Sequence, residues 1–178
     1  MHDLSSAPVP EPAADDHVRG PAGAPTLIEY IDLECPYCAA LHERIRGLGE
    51  LRVRWVVRHF PVRSSHPRAW AAACAAEAAA RQGRFWEMYD SLLAGQGRLE
   101  DPHLWERAVA LGLELDRFES DRRSEAVTQR VRRDFKSGVR AGVVTTPTVF
   151  HAGAPHTREQ IVGLLERVQA SNSPDAAR

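Results

Sequence analysis

The sequence predicts an α/β fold in which a central mixed sheet is flanked by helices and one long segment between two strands is entirely helical. Three observations support this. A strand, a helix and a second strand follow one another within residues 26–60, residues 64–141 show helical periodicity, and the chain closes with a strand, a turn and a helix. A strand–helix–strand unit makes a right-handed crossover between parallel strands in nearly all known cases.

The first strand and the first helix follow each other directly. Residues 26–33, TLIEYIDL, are rich in β-branched and aromatic residues, and both alternating sets are apolar, as in an inner strand covered on two faces. Pro36 stands where a helix has its first full position, which tolerates a missing N–H. Apolar residues then recur at helical spacing until Gly47.

A second strand and a series of helices come next. Residues 51–60, LRVRWVVRHF, alternate as a strand. Four helical patterns fill the following segment, and they cover residues 67–82, 85–93, 102–111 with Asp101 as cap, and residue 116 onward. We therefore expect an all-helical insertion between the second and third strands.

The end of the chain returns to the sheet. Residues 147–151 read as a third strand, 153–155 as its turn, and a short fourth strand is expected before Thr157. Thr157 and Gln160 have the spacing of a capping box, which predicts that the last helix begins here.

The domain organisation follows from these elements. Residues 1–25 contain five prolines and few large apolar residues, so we expect a flexible leader. The sheet domain is predicted to combine residues 26–63 with 142–170, the helical insertion to cover 64–141, and residues 171–178 to form a flexible tail.

Charge and hydropathy bound the function. The chain has 23 basic and 24 acidic residues, a balance that suggests neither a nucleic acid nor a membrane surface as partner. The longest apolar run, residues 69–76, is far too short to cross a bilayer, and the N-terminus shows no secretory signal. The predicted location is the cytoplasm, and export is not excluded.

The pair Cys35 and Cys38, within ECPYCA, allows two kinds of chemistry. As a redox pair, Cys35 at the start of a helix would be an exposed nucleophile, because unpaired backbone N–H groups and the helix dipole favour a thiolate and lower its pKa. Cys38, one turn further along, would be the buried thiol that resolves a mixed disulfide.

As a metal site, the same pair would need two further ligands. The sequence has no second Cys-x-x-Cys. Cys74 with one of His42, His59 or His66 could complete a zinc site only if the fold happened to bring them together. The redox interpretation is favoured, no metal is expected, and Cys74 is expected to be a small core residue.

Four motifs together resemble the DsbA-like branch of the thioredoxin superfamily over residues 20–168. They are IEYIDLECPYC, RHFPV, GRFWEMYDSLL and GVVTTPTVF. The resemblance implies a thioredoxin-like fold with a helical insertion and disulfide exchange with protein or low-molecular-weight thiol substrates. It implies no bound cofactor, because the Cys35–Cys38 disulfide itself carries two electrons, and it requires a redox partner that resets the pair.

The resemblance also implies roles for individual residues. On base rates the bond before Pro147 would be trans, whereas the family pattern implies a cis bond, with Thr146 and Pro147 holding an extended substrate across Cys35. Pro36 and Tyr37 are the other expected substrate contacts.

Three acidic residues lie close to the pair in sequence. Glu29 matches a buried acid that relays the proton of Cys38. Asp32 and Glu34 are expected to be exposed and screened by solvent.

Two alternatives remain open. A thioredoxin-fold sensing or adaptor module could carry the same pair without turnover, and a zinc-bound structural module could use it as ligands. The Pro-Tyr dipeptide lacks the imidazole of a Pro-His pair, so we expect an oxidant milder than exported DsbA, whose potential is about −120 mV.

Overall fold

A mixed sheet of five strands forms the centre of the protein in the computed structural model, which describes residues 10–50 and 52–171. The strand order is β1-β3-β2-β4-β5. The strands are β1 His17–Arg19, β2 Thr26–Ile31, β3 Arg54–His59, β4 Thr148–His151 and β5 Ala154–Thr157. Strands β2 and β3 are parallel, and the other pairs are antiparallel, so the predicted mixed sheet is confirmed.

Seven helices surround this sheet within the described ranges. They are α1 Pro36–Gly47, α2 Ala69–Ala80, α3 Phe85–Ala94, α4 Asp101–Ala110, α5 Leu115–Arg122, α6 Glu125–Arg140 and α7 Arg158–Ser171. Helices α2 to α6 lie between β3 and β4, as expected. The pattern that begins at residue 116 forms two helices rather than one. The break falls at Ser124, whose hydroxyl accepts a hydrogen bond from the Val127 N–H (3.3 Å) and caps α6.

Strand β2 is buried on both faces, as its two-sided apolar pattern predicts. Leu27 and Ile31 belong to the core that includes residues of α1, α2 and α3. Ile28 and Tyr30 face the opposite core, which they share with Phe60 and other apolar residues. Because side chains alternate along a strand, Glu29 points to the same side as Leu27 and Ile31.

Helix α6 approaches the sheet closely at Gly138. A Cβ atom added there would stand 2.6 Å from a ring carbon of Phe60 and 2.9 Å from one of Tyr30. The small residue therefore lets the helix backbone rest directly on these aromatic rings.

The prediction of a flexible leader through residue 25 is wrong for residues 17–19, which form the edge strand β1 against β3. Contacts with distant residues offset the conformational entropy that this proline-rich segment loses when it becomes ordered. His17 stacks on Phe85 with 3.4 Å between ring centroids and bonds Glu77 (2.9 Å). Asp16 accepts two hydrogen bonds from Arg58.

Several boundaries differ slightly from prediction. Leu51, residues 1–9 and most of the predicted tail, 172–178, lie outside the described residues. The second predicted strand, 51–60, is observed as Arg54–His59. None of the helices in the described part of the chain has both the length and the apolar character of a membrane span.

Candidate active site

The chain leaves β2 and enters α1 through Cys35. This residue caps the helix with extended backbone angles (φ −75°, ψ 122°), and Pro36 is the first helical residue. The Cys35 carbonyl accepts hydrogen bonds from the N–H groups of Cys38 (3.0 Å) and Ala39 (3.2 Å). This first turn of the helix brings the Cys38 thiol to the Cys35 sulfur.

The two thiols have opposite electrostatic environments. The pKa of Cys35 is lowered to about 5, first by a hydrogen bond from the Cys38 thiol, then by one from the Thr146 side chain and by the backbone N–H groups of Cys38 and Tyr37, while burial opposes them. The pKa of Cys38 is raised by burial, by its bond to Cys35 and by the charge of Glu29. The helix amides act as predicted, but the neighbouring thiol has the larger effect. The negative charge therefore rests on Cys35.

Cys35 is less accessible than predicted. The sequence indicates an exposed nucleophile, whereas the residue is only 3% exposed and Cys38 is 0% exposed. The reason is a long-range contact: the Thr146 carbonyl oxygen lies 3.4 Å from the Cys35 sulfur and can accept the thiol proton. Next to it, Pro36 and Tyr37 are exposed, and Tyr37 retains 50% of its accessible surface.

The segment opposite Cys35 comes from the start of β4. Thr146 and Pro147 are buried, and the peptide bond between them is cis. The Thr148 hydroxyl donates to the Thr145 carbonyl (2.7 Å) and ties the turn to the strand. The structure thus brings the threonine–proline pair and the cysteine pair together from positions 111 residues apart.

Glu29 lies beneath the site and is 1% exposed. One carboxylate oxygen accepts hydrogen bonds from the Trp55 indole N–H (2.9 Å) and the Tyr89 hydroxyl (3.4 Å). Burial raises its pKa to about 7, while these two donors act in the opposite direction and the charge of Cys35 adds to the rise. A carboxyl group with this pKa can take up or release a proton near neutral pH.

The expectation that Asp32 is exposed is wrong, because it is completely buried. Its carboxylate accepts hydrogen bonds from the N–H groups of Glu34 (2.8 Å) and Val62 (2.7 Å) and contacts His66 Nδ1 (2.9 Å). Burial lowers the pKa of His66, but Asp32 outweighs it and the pKa is raised. Glu34 is partly buried, and its side chain accepts the Arg68 N–H (2.6 Å). These bonds take the place of the solvent contacts that an exposed acid would have.

Gln96 is a site residue that sequence reasoning missed. It follows α3, and its side-chain nitrogen donates to the carbonyls of Leu33 and Cys35, at 2.9 Å each. One amide group thus fixes the loop that presents Cys35. No local sequence pattern predicts this contact, because it joins segments 61 residues apart.

The cysteine pair is not part of the metal-ligand cluster found among the described residues. That cluster is His59, Glu77 and Asp134. The Arg130 guanidinium lies 3.5 Å from a carboxylate oxygen of Glu77 and 3.5 Å from one of Asp134. The positive charge of Arg130 therefore already balances these two carboxylates. Cys74 lies in a separate small apolar cluster on α2 and α6 and is buried.

A sequence profile described as thioredoxin matches residues 13–167, most of the chain. The chain belongs to the thioredoxin family.

Solved structures place this thioredoxin-family chain among proteins with the DsbA-type fold. A thioredoxin-like oxidoreductase from Silicibacter pomeroyi superposes with a TM-score of 0.75 over 89% of this chain and 94% of that one, at 24% identity. The α-DsbA1 protein of Wolbachia pipientis superposes with a TM-score of 0.71 over 90% and 94%, at 18% identity. The predicted fold is confirmed.

A curated relative is much longer than this chain. The Na⁺/H⁺ antiporter NhaA 3 of Salinispora tropica is 44% identical over 151 residues, which are 83% of this chain and 23% of the relative. The chain spans about a quarter of the length of the curated relatives it matches.

Proposed function

We propose that this chain is a thiol–disulfide oxidoreductase that exchanges disulfides with protein or low-molecular-weight thiol substrates. The observation that carries the proposal is the unequal pair: the pKa of Cys35 is about 5, whereas that of Cys38 is raised. At neutral pH one sulfur is a thiolate nucleophile and the other retains its proton, as a two-step exchange requires.

In the reducing direction the proposed reaction has two steps. The Cys35 thiolate attacks a substrate disulfide, forms a mixed disulfide and releases one substrate thiolate. Cys38 then loses its proton and attacks the Cys35 sulfur, which releases the second substrate thiolate and leaves a Cys35–Cys38 disulfide. Two electrons pass from the pair to the substrate.

Glu29 is the proposed proton acceptor in the second step. The Cys38 thiol becomes a nucleophile only after it loses its proton. Glu29 is the acid whose negative charge raises the pKa of Cys38. A carboxyl group with a pKa near 7 is ionised often enough to accept this proton and protonated often enough to return it in the oxidising direction.

Thr146 and Pro147 are the proposed substrate platform, with Pro36 and Tyr37 on the opposite side. The Thr146 carbonyl lies 3.4 Å from the Cys35 sulfur. An extended segment that paired with the Thr146 backbone would therefore cross Cys35 in the manner of an added strand.

The cysteine pair carries the electrons, so no bound cofactor is required, and an unidentified redox partner resets the pair. A cytoplasmic setting would favour reduction or isomerisation of substrates. We expect a reduction potential more negative than about −120 mV when the pair is equilibrated with glutathione, and a value at or above this would overturn the proposed milder character.

Reduction of insulin or a small disulfide tests the activity. We expect turnover by wild type, loss of turnover in Cys35→Ser, and a trapped mixed disulfide in Cys38→Ser. Cys74→Ser is the control and should retain turnover, because Cys74 is buried in a separate cluster.

Two results would favour the alternatives. A pair that equilibrates with glutathione but turns over no substrate would indicate a sensing or adaptor module. Stoichiometric zinc in protein purified without chelators would indicate a structural metal site.

The curated relatives favour a second candidate partner. In the Salinispora tropica relative a segment 44% identical to this chain makes up 23% of an Na⁺/H⁺ antiporter, so a segment of this kind is covalently joined to the rest of that protein. We therefore propose that an antiporter of this kind is a client of the thiol pair. The Cys38→Ser variant, incubated with membranes that contain an NhaA antiporter, should form a mixed disulfide that dithiothreitol releases. The variant that also lacks Cys35 should form none, and absence of any adduct with the single variant would remove this candidate.

A further inference from the structure

A small cavity of about 130 Å³ lies beside the reactive thiol, between α1 and α7. Tyr37 and Pro147 form the side nearest the cysteine pair, and Leu41, Ile161 and Val162 contribute apolar surface. The cavity opens to solvent and offers room for one aliphatic side chain. A substrate held against Pro147 would therefore place a neighbouring side chain here.

Two arginines complete the lining, Arg44 from α1 and Arg158 from α7. Arg44 is exposed and forms no ion pair with any residue in the described part of the chain. The Arg158 guanidinium lies 3.8 Å from the centre of the Tyr37 ring, and its Nε lies 3.5 Å from a carboxylate oxygen of the exposed Glu159. The cavity thus combines an apolar wall with two solvent-accessible guanidinium groups.

These features complement one kind of side-chain pair. Guanidinium groups form paired hydrogen bonds with carboxylates, and they do so with a geometry that lysine does not match. An aliphatic side chain would gain from burial against Leu41 and Ile161. Tyr37 holds Arg158 over its ring, which positions one of the two charges before a substrate arrives.

We infer that the preferred substrates carry an aliphatic and an acidic side chain within two residues of the reacting cysteine. The inference rests on the proposed disulfide exchange and specifies the substrate class for it. Glu166 acts against the preference, because this exposed acid lines the adjoining cavity together with Arg44 and Val162. Its removal should therefore strengthen discrimination.

The test uses two peptide disulfides that differ only in a glutamate or a glutamine beside a leucine near the cysteine. For wild type we expect kcat/KM to favour the glutamate peptide by about 3- to 10-fold at low salt, mainly through KM, with the ratio falling as salt screens the charges. In the double variant Arg44→Gln/Arg158→Gln the ratio should approach one, whereas Arg158→Lys should keep part of it and Glu166→Gln should increase it.

Arg46→Gln is the matched control. Arg46 lies on the same helix, pairs with Glu43 at 3.5 Å and does not line this cavity, so the ratio should stay at the wild-type value. Equal use of both peptides by wild type, or an unchanged ratio in the double variant, would overturn the inference. If the double variant does not fold, the salt dependence in wild type and the single variants decide. Failure of wild type to turn over either peptide would instead refute the proposed function.

Discussion

Replacing Glu29 by glutamine should stabilise the reduced protein at high pH relative to low pH. Burial raises the pKa of Glu29 from its ordinary 4.5 to about 7. Below pH 4.5 Glu29 is protonated in both the folded and the unfolded state, so its burial does not lower the free energy of unfolding through ionisation. Between the two values only the unfolded state ionises, so wild type loses stability as pH rises.

The magnitude follows from the size of this rise. At about 1.4 kcal/mol per pKa unit, the cost of the ionised, buried carboxylate reaches about 3 kcal/mol once the pH exceeds about 7. The glutamine variant does not pay this cost. Its amide leaves one donor group to be accommodated near Trp55 and Tyr89, but that penalty does not change with pH.

Urea unfolding of the reduced proteins measures the effect. We expect the free energy of unfolding of Glu29→Gln, minus that of wild type, to rise by about 3 kcal/mol between about pH 4.5 and pH 8. Glu43→Gln is the control, because this α1 acid is 63% exposed and should give a difference that does not depend on pH. A pH-independent difference for Glu29→Gln would refute the argument that burial perturbs this acid.

Three further substitutions test other contacts, and urea unfolding checks each of them. Gln96→Ala should destabilise by about 1–3 kcal/mol, because the Leu33 and Cys35 carbonyls each lose a hydrogen bond from the Gln96 amide, although the Cys35 carbonyl keeps those from two helix N–H groups; an effect below about 0.5 kcal/mol would show that the loop does not depend on Gln96. Gly138→Ala should cost about 1–3 kcal/mol, because the new methyl group would overlap the Phe60 ring; a neutral result would mean that α6 shifts freely. Because the pKa of His66 is raised by Asp32, His66→Gln should destabilise most below about pH 6.5 and progressively less as the pH rises above it; a loss that grows with pH would contradict the ion pair.

The sequence predicts those parts of the fold whose signals are local. Strand β2 has apolar residues on both faces, α1 begins at a proline, and the two motifs that carry Cys35 and Pro147 are recognisable without any structure. These residues alone predict a redox pair at a helix N-terminus. The periodicity of apolar residues predicts the helical insertion. It does not show the break at Ser124, which requires recognising that Ser124 caps the helix that follows.

The features that the sequence does not reveal depend on contacts between distant segments. Strand β1 has three residues, too few for any periodicity, and it is held by an edge of β3 and by partners such as Glu77. Asp32 looks like a solvent-facing acid because the donors that satisfy it come from its own loop and from residues 62 and 66. The Gln96 contact and the shielding of Cys35 by Thr146 are of the same kind, since each joins segments more than 60 residues apart.

The rate of Cys35 alkylation as a function of pH is the most direct test of the central idea, that this sulfur is a thiolate at neutral pH. Mass spectrometry separates its adduct from those of Cys38 and Cys74, whose pKa values are raised. We expect a midpoint near pH 5, and a higher one in Cys38→Ala because the largest stabilising hydrogen bond is lost. A midpoint near about 8.5, as for free cysteine, would contradict the proposed mechanism.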